Sequence, residues 1–325
     1  MRLGVIGSGR IIPYHLTALE YAGFTITGIG SSYNSDSARS LQQRLDKCKY
    51  YKSGEDLIEN LENFDALLIA PDSKKLFKYL NLLRDEKICA LFEKPIFTEA
   101  SQIHSIDDTY REYKNIMVGY NRRFYTAVHY LKQIETLKFA KFRLCIPELS
   151  SSRTFNSSEV TNTLINNTVH ALDLLNYLFD LRLKKYKTYI SKSNDTVDKI
   201  LLQLEDAGHS TIELYFGYPS NYSLEIYHDQ KLLHLSPFEE LSIFQGIEIV
   251  EPNKKNPIRR YMPKLLTKIS EYSDKNLNKN IKPGFQKQAI QFRKFVEVGD
   301  RGDGCNISDA VNVARQALEI VDKIK

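Results

Sequence analysis

The triplet Gly7-Ser8-Gly9 follows an apolar run, Arg2 to Ile6, and precedes a helical pattern over residues 11–22. Phosphate binding needs that order. The first glycine permits a tight turn and the second lets a pyrophosphate approach the backbone. The helix that follows offers free N–H groups and partial positive charge. A dinucleotide is the expected ligand, with Gly7, Ser8, Gly9, Arg10 and Ile11 around its phosphates. Ile12 stands where a third glycine is usual, which implies looser helix–strand packing rather than lost binding. The second strand runs into Gly30-Ser31-Ser32-Tyr33-Asn34, with no carboxylate at its end for ribose hydroxyls, and Asp36 comes late. Ser31 and Ser32 either leave room for a 2'-phosphate, faced by Arg10 or Arg39, or simply form the turn. NAD and NADP both stay open as cofactors.

A second set of residues could hold an anion. From Asn253 to Lys282 the chain carries seven lysines, two arginines and two acids. Such a run is either a solvated face or an anion site in which Arg259 or Arg260 grips a phosphate or carboxylate. Arg153, in a Ser-rich loop, is a weaker candidate. Leu265, Ile269 and Tyr272 align on one face if this segment is an amphipathic helix.

The elements that position these residues change style near Asn121. Before it, buried apolar runs (RLGVI, FTITGIG, FDALLIAPD, ICALFEKP, NIMVGYN) alternate with amphipathic helical stretches. That alternation predicts a doubly wound parallel sheet over residues 1–121. After it come a helix at 125–136, the strand KFAKFRLCI, a polar loop at 149–160 and one apolar helix at 164–179. The runs KILLQLE, STIELYFGY, SLEIYHD and KLLHLS follow at short spacing, separated by turn residues. They predict an antiparallel meander in a second α/β domain over residues 122–325. Helices at 284–298 and 308–324 close the chain. Ser308 is the expected cap of the last, with Asp309 in its first turn and Lys323 and Lys325 in its last.

Composition narrows the class. The chain has 325 residues, 42% apolar and 26% charged, enough to bury a core without staples. A net charge of +5 is too small to argue for nucleic acid. The four cysteines lack metal-site or disulfide spacing, no metal is expected, and a reducing, cytoplasmic setting fits. No run approaches a spanning helix.

Three further stretches, LFEKPIF (91–97), VGYNRRF (118–124) and NNTVHALDLLNYLF (166–179), join the opening turn in an order that resembles a known family. It is the family of glucose–fructose oxidoreductase, inositol dehydrogenase and the rhizopine-catabolism oxidoreductases, and the C-terminal stretch resembles it too. The resemblance implies a nucleotide-binding domain, then an α/β domain with a large open, mostly antiparallel sheet that often forms a homodimer or homotetramer interface. It implies an active site between the domains, against the nicotinamide. The lysine of Glu-Lys-Pro maps onto Lys94. The family's Asp-x-x-x-His pair maps onto Asn166 and His170, and a further acidic position onto Asp173. Glu93, Lys94, Ala70 and Pro71 join the expected cofactor contacts, and Tyr120 and Arg123 line the expected site. Lys75 stands where many members have a histidine.

Alcohol oxidation needs a base for the hydroxyl proton while hydride leaves for the nicotinamide. An imidazole suits the first task, and an ammonium stabilises the developing alkoxide. His170 and Lys94 fit those roles. The expected activity is an NAD(P)-dependent oxidoreductase on a CH–OH group of a sugar or sugar derivative, nucleotide-linked or acidic among the options. Asn166 cannot take a proton, so a non-catalytic dinucleotide sensor, as in a yeast galactose-regulon repressor that the family resembles, is the competing expectation. A polyanion-binding protein resting on residues 253–282 is the third. Neither membrane nor nucleic acid is an expected partner.

Overall fold

Short apolar runs bounded by glycine, proline or charge become the buried strands of the first sheet. The computed structural model describes every residue except 32–35, 46, 107–112, 149–154, 182, 184, 195, 206–208 and 325. β1 (Arg2–Ile6), β2 (Thr25–Gly30), β3 (Lys49–Tyr51), β4 (Ala66–Ile69), β5 (Cys89–Phe92) and β6 (Ile116–Val118) form a six-stranded sheet. Its order is β3-β2-β1-β4-β5-β6, and every pairing is parallel. Between the strands lie α1 (Ile12–Tyr21), α2 (Asp36–Arg44), α3 (Gly54–Ile58), α4 (Ser73–Leu82) and α5 (Ala100–His104). The chain reverses direction across the sheet between β1 and β4, which opens a crevice at their carboxyl ends. Ile12 is fully buried beside Leu16 and Leu19, so the place of the missing glycine is filled by packed core.

The second sheet has eight strands. They are β7 (Lys141–Glu148), β8 (Tyr186–Ser193), β9 (Thr196–Leu204), β10 (Thr211–Phe216), β11 (Ser223–His228), β12 (Lys231–Leu235), β13 (Glu240–Val250) and β14 (Arg260–Ser270). Their order is β14-β13-β12-β11-β7-β10-β9-β8. The expected meander is interrupted: β7 inserts between β10 and β11, parallel to the first and antiparallel to the second. Residues 260–270 are the edge strand β14 rather than an amphipathic helix. Their apolar residues pair across a long hairpin with β13, a non-local contact that helical spacing does not reveal. The remaining helices are α6 (Thr126–Lys132), α7 (Ser157–Thr163), α8 (Val169–Phe179), α9 (Phe285–Val298) and α10 (Ile307–Asp322). The apolar stretch expected as one helix at 164–179 has a π-helical turn at Leu164–Thr168 ahead of α8. Asn306, not Ser308, caps α10, its Oδ1 accepting from Asp309 N at 2.8 Å.

The chain divides into two compact units. The first takes Met1–Phe124, Leu164–Leu174 and Leu277–Asp322, and the second takes Tyr125–Thr163, Leu175–Asn276 and Lys323–Lys325. A single boundary after residue 121 does not describe them, because the chain returns to the first unit twice. Phe285, Ala289, Phe292 and Phe295 of α9 lie in the same apolar core as Leu16 and Leu19 of α1. Each buried phenylalanine among them contributes about 1.5–3 kcal/mol, which favours the return of this late helix.

Candidate active site

The crevice beside β1 is a cleft of about 520 Å³ whose walls include Gly7, Ser8, Gly9, Ser31 and Pro71. Gly7 has φ +117°, and a Cβ there would sit 2.3 Å from the Ala70 carbonyl oxygen. Only glycine lets β1 turn so close to the end of β4. Gly9 is different: a Cβ there would meet nothing within 4 Å, so no protein neighbour requires glycine at that place. The open space there is what a ligand approaching the backbone would use. The first turn of α1 has no capping side chain; Ile12 N and Tyr14 N donate to the Gly9 and Ile11 carbonyls at 3.0 and 3.1 Å, and Pro13 has no N–H. These features fit a dinucleotide pyrophosphate. Further along the wall, Lys78 holds Glu55 at about 2, and Asp72 Oδ1 accepts from Lys74 N at 3.0 Å. Lys52 and Lys75 add ammonium groups to the same wall.

A second cluster sits at the carboxyl end of β5. Lys94 Nζ donates to the carbonyl of Asn166 at 2.6 Å. That carbonyl lies in the π-helical turn, a distortion that recurs at functional sites. Asn166 is one turn ahead of His170. The Lys94–Pro95 peptide is cis. Glu93 turns the other way: His15 Nε2 donates to its Oε1 at 2.5 Å, and Lys94 N donates to its Oε2 at 3.0 Å. Burial pushes the Glu93 carboxyl up, but the His15 bond and the His15 and Lys94 charges outweigh it and hold the group below its usual range. His15 also packs on Phe285, ring centroids 4.8 Å apart.

His170 has a buried Nδ1 with no hydrogen-bond partner among the described residues. Burial, then the charges of Lys94, Arg122 and Lys282, hold its imidazole well below the usual range. The ring is therefore neutral at pH 7. Tyr120 meets it edge-on at 5.9 Å. Burial, with the Asp173 charge, keeps the Tyr120 hydroxyl protonated. Behind this face Arg123 binds Asp173 through Nε at 2.9 and 3.1 Å and reaches Asp309 from Nη1 at 3.0 Å. Burial works against the Arg123 charge, and Asp173 more than offsets it.

Residues 1–120 match the model of an oxidoreductase family with an NAD-binding Rossmann fold, the Gfo/Idh/MocA family. Those residues are 120 of the chain's 325, so the match describes this domain. Over 125 residues it is 30% identical to myo-inositol 2-dehydrogenase of Thermotoga maritima, covering 38% of this chain and 37% of that protein. Two solved structures share its fold over almost the whole length. One is UDP-N-acetylglucosamine 3-dehydrogenase GnnA from Acidithiobacillus ferrooxidans, at 17% identity, 98% of this chain, 96% of that one and a TM-score of 0.70. The other is an oxidoreductase from Agrobacterium radiobacter in complex with NAD+, L-tartaric acid and magnesium, at 14% identity, 98% and 94% coverage and a TM-score of 0.70.

Lys94, Asn166, His170, Tyr120, Arg123 and Asp173 all fall in the first unit. His170 arrives there because Leu164–Leu174 belong to that unit, with the π-helical turn packed on α10. Asp173 and Arg123 are buried and bonded to each other, so they brace the site rather than present polar groups to a ligand. Arg259 and Arg260 lie on the β13–β14 hairpin of the second unit, where Arg259 is already bound to Glu251 at 2.9 Å. Arg10 is exposed next to the turn, Ile11 precedes α1, and Ala70 is buried with its N–H on the Ile6 carbonyl. Ser32 and Arg153 lie outside the described residues. Sequence reasoning missed His15, Lys52, Arg122 and Lys282. His15 lies in an apolar helix and looks like core, and the others acquire meaning only through their neighbours. Among the described residues no group of acidic, histidine or cysteine side chains could hold a metal, and no helix is long and apolar enough to cross a membrane.

Proposed function

We propose that this chain is a dinucleotide-dependent oxidoreductase acting on the carbinol carbon of a sugar or sugar derivative. The juxtaposition of Lys94 with the His170 turn carries the reading. A nicotinamide bound in the cleft would supply the hydride acceptor or donor. His170, neutral and with an unsatisfied ring nitrogen, takes the hydroxyl proton, and the Lys94 ammonium favours the alkoxide as it forms. Glu93 fixes the Lys94 backbone, and His15 fixes Glu93. Asn166 offers its side chain to a substrate hydroxyl. The cleft supports NADP as readily as NAD, since Ser31 replaces an acid beside β2 and Lys52 and Lys75 can face a phosphate.

The test is turnover of NAD+ and NADP+ with a panel of inositols, sugars and UDP-sugars. His170→Ala should lower kcat by about 10²–10⁴, with dinucleotide binding by fluorescence unchanged, and Lys94→Ala should follow the same pattern. Intact turnover in both variants would overturn the assignment. The pH profile has a sign. A base with a depressed pKa stays active through neutrality, so kcat/KM should fall only well below the ordinary imidazole range. The same depressed group makes the fold lose stability as pH falls through about 6.5, where the unfolded imidazole takes up its proton.

Asn166, standing where the resemblance expects an aspartate, favours one second reading, a dinucleotide sensor without turnover. Binding of NADPH with no oxidation across the keto-sugar panel would select it.

A further inference from the structure

In a Rossmann domain the adenosine ribose lies at the carboxyl end of the second strand. An acid there holds the ribose hydroxyls of NAD and repels the 2'-phosphate of NADP. Here β2 ends at Gly30, and the chain runs Ser31-Ser32-Tyr33-Asn34-Ser35 before α2 begins. No carboxylate occupies that stretch.

A cation stands beside it instead, supplied by the neighbouring strand. β2 and β3 pair in parallel with Gly30 opposite Tyr51, so the next residues, Ser31 and Lys52, leave adjacent strand ends. The chain beyond Lys52 is pressed against the same point. A Cβ on Gly30 would lie 2.6 Å from the Ser53 carbonyl oxygen and 3.0 Å from Gly54 Cα. Lys52 N donates to Asp56 Oδ2 at 2.8 Å, and Ser53 Oγ accepts from Asp56 N at 3.2 Å. The start of α3 thus fixes the backbone that carries the lysine. Ser31, Ser37 and Lys52 all line the cleft. Arg10 and Arg39, the cations that the sequence offers for this task, are not among its lining residues.

The other charges of the cleft are accounted for. Lys78 is paired with Glu55, which also accepts from the Tyr79 hydroxyl at 3.1 Å. Asp72 caps α4 through Lys74 N. Lys75 belongs to α4, which follows β4 on the other side of β1 from β2. The Lys52 ammonium has no ion-pair partner among the described residues.

We propose that Lys52, with the hydroxyls of Ser31 and Ser37, binds the 2'-phosphate of the adenosine ribose and makes this chain select NADP(H) over NAD(H). Lysine meets a phosphate as a point charge, and charge-assisted bonds of this kind are the stronger ones. Small hydroxyl side chains leave the group room and add donors. The inference rests on reading the cleft as the dinucleotide site, and it names the dinucleotide.

Titration calorimetry of the full chain with NADPH and with NADH tests it. Adenosine 2',5'-bisphosphate and 5'-AMP serve as the matching pair of fragments without nicotinamide. NADPH should bind at least about tenfold tighter than NADH, a difference of about 1.4 kcal/mol, and the bisphosphate should exceed 5'-AMP in the same sense. Added salt should erode the NADPH affinity more than the NADH affinity. Lys52→Met should remove most of the preference, with an unchanged melting temperature of the free variant as proof of folding, and Lys52→Arg should keep it. Equal binding of the two dinucleotides, tighter binding of NADH, or a preference that survives Lys52→Met overturns the assignment. A preference for NADPH without turnover of any substrate upholds it and instead defeats the oxidoreductase reading.

Discussion

The two sheets treat their strands in opposite ways. In the first, β4 is buried along its whole length, and both neighbours of the β1 turn are closed in. In the second, β14 is exposed over nearly all of its length and carries Tyr261, Met262, Leu265 and Leu266, facing Ile247 and Ile249 of β13. A parallel sheet covered by helices has polar groups to offer only at its strand ends, so chemistry collects there. An antiparallel sheet with an open edge has backbone donors and apolar side chains to offer along its margin, and such margins are normally covered. One sheet is built to present a small polar site, the other to present a surface. A second copy of the chain, the partner that the resemblance leads one to expect, would bury such a surface.

This contrast can be broken or sharpened at several points. The largest effect is expected behind the polar site. Asp173→Ala leaves the buried Arg123 with Asp309 as its remaining carboxylate partner and should cost about 3–5 kcal/mol, read as a fall in urea midpoint. A change under 1 kcal/mol would show that the pair does not brace the site. The two glycines of the turn should separate next. Gly7→Ala meets the Ala70 carbonyl and should lower both stability and dinucleotide affinity. Gly9→Ala meets no protein atom and should leave the melting temperature alone while weakening dinucleotide binding by about tenfold, or 1.4 kcal/mol. Equal effects on melting would remove the argument that Gly9 is kept open for a ligand. The smallest effect on fold stability, within about 0.5 kcal/mol, is expected for Met262→Asp/Leu265→Asp on the exposed hairpin. Its mass by light scattering should drop relative to the wild type, and an unchanged mass would leave that surface without a role in self-association.

Legibility in the sequence followed distance along the chain. The strand–turn–helix of residues 2–21 could be read directly, because Gly7, Gly9 and the apolar run beside them form one local unit. Most strands of the second sheet were legible for the same reason. Strands β3, β8, β13 and β14 were not: β3 is too short to show a pattern, and β14 is too exposed to alternate. Ile12 shows the limit of a motif. The expected glycine serves packing, and packing can be met by another shape.

By itself the sequence determined which backbone turn can approach a phosphate and where buried strands alternate with helices; for Lys94 and His170 it offered a role through the resemblance alone. Only the tertiary structure decided that residues 164–174 and α9 return to the first unit, that His15 holds Glu93, and that Lys94 reaches the Asn166 carbonyl. The reason is physical. Turn geometry and periodicity are set by neighbours a few residues away. Burial and the field at a titratable group are sums over atoms that the chain brings together from far apart.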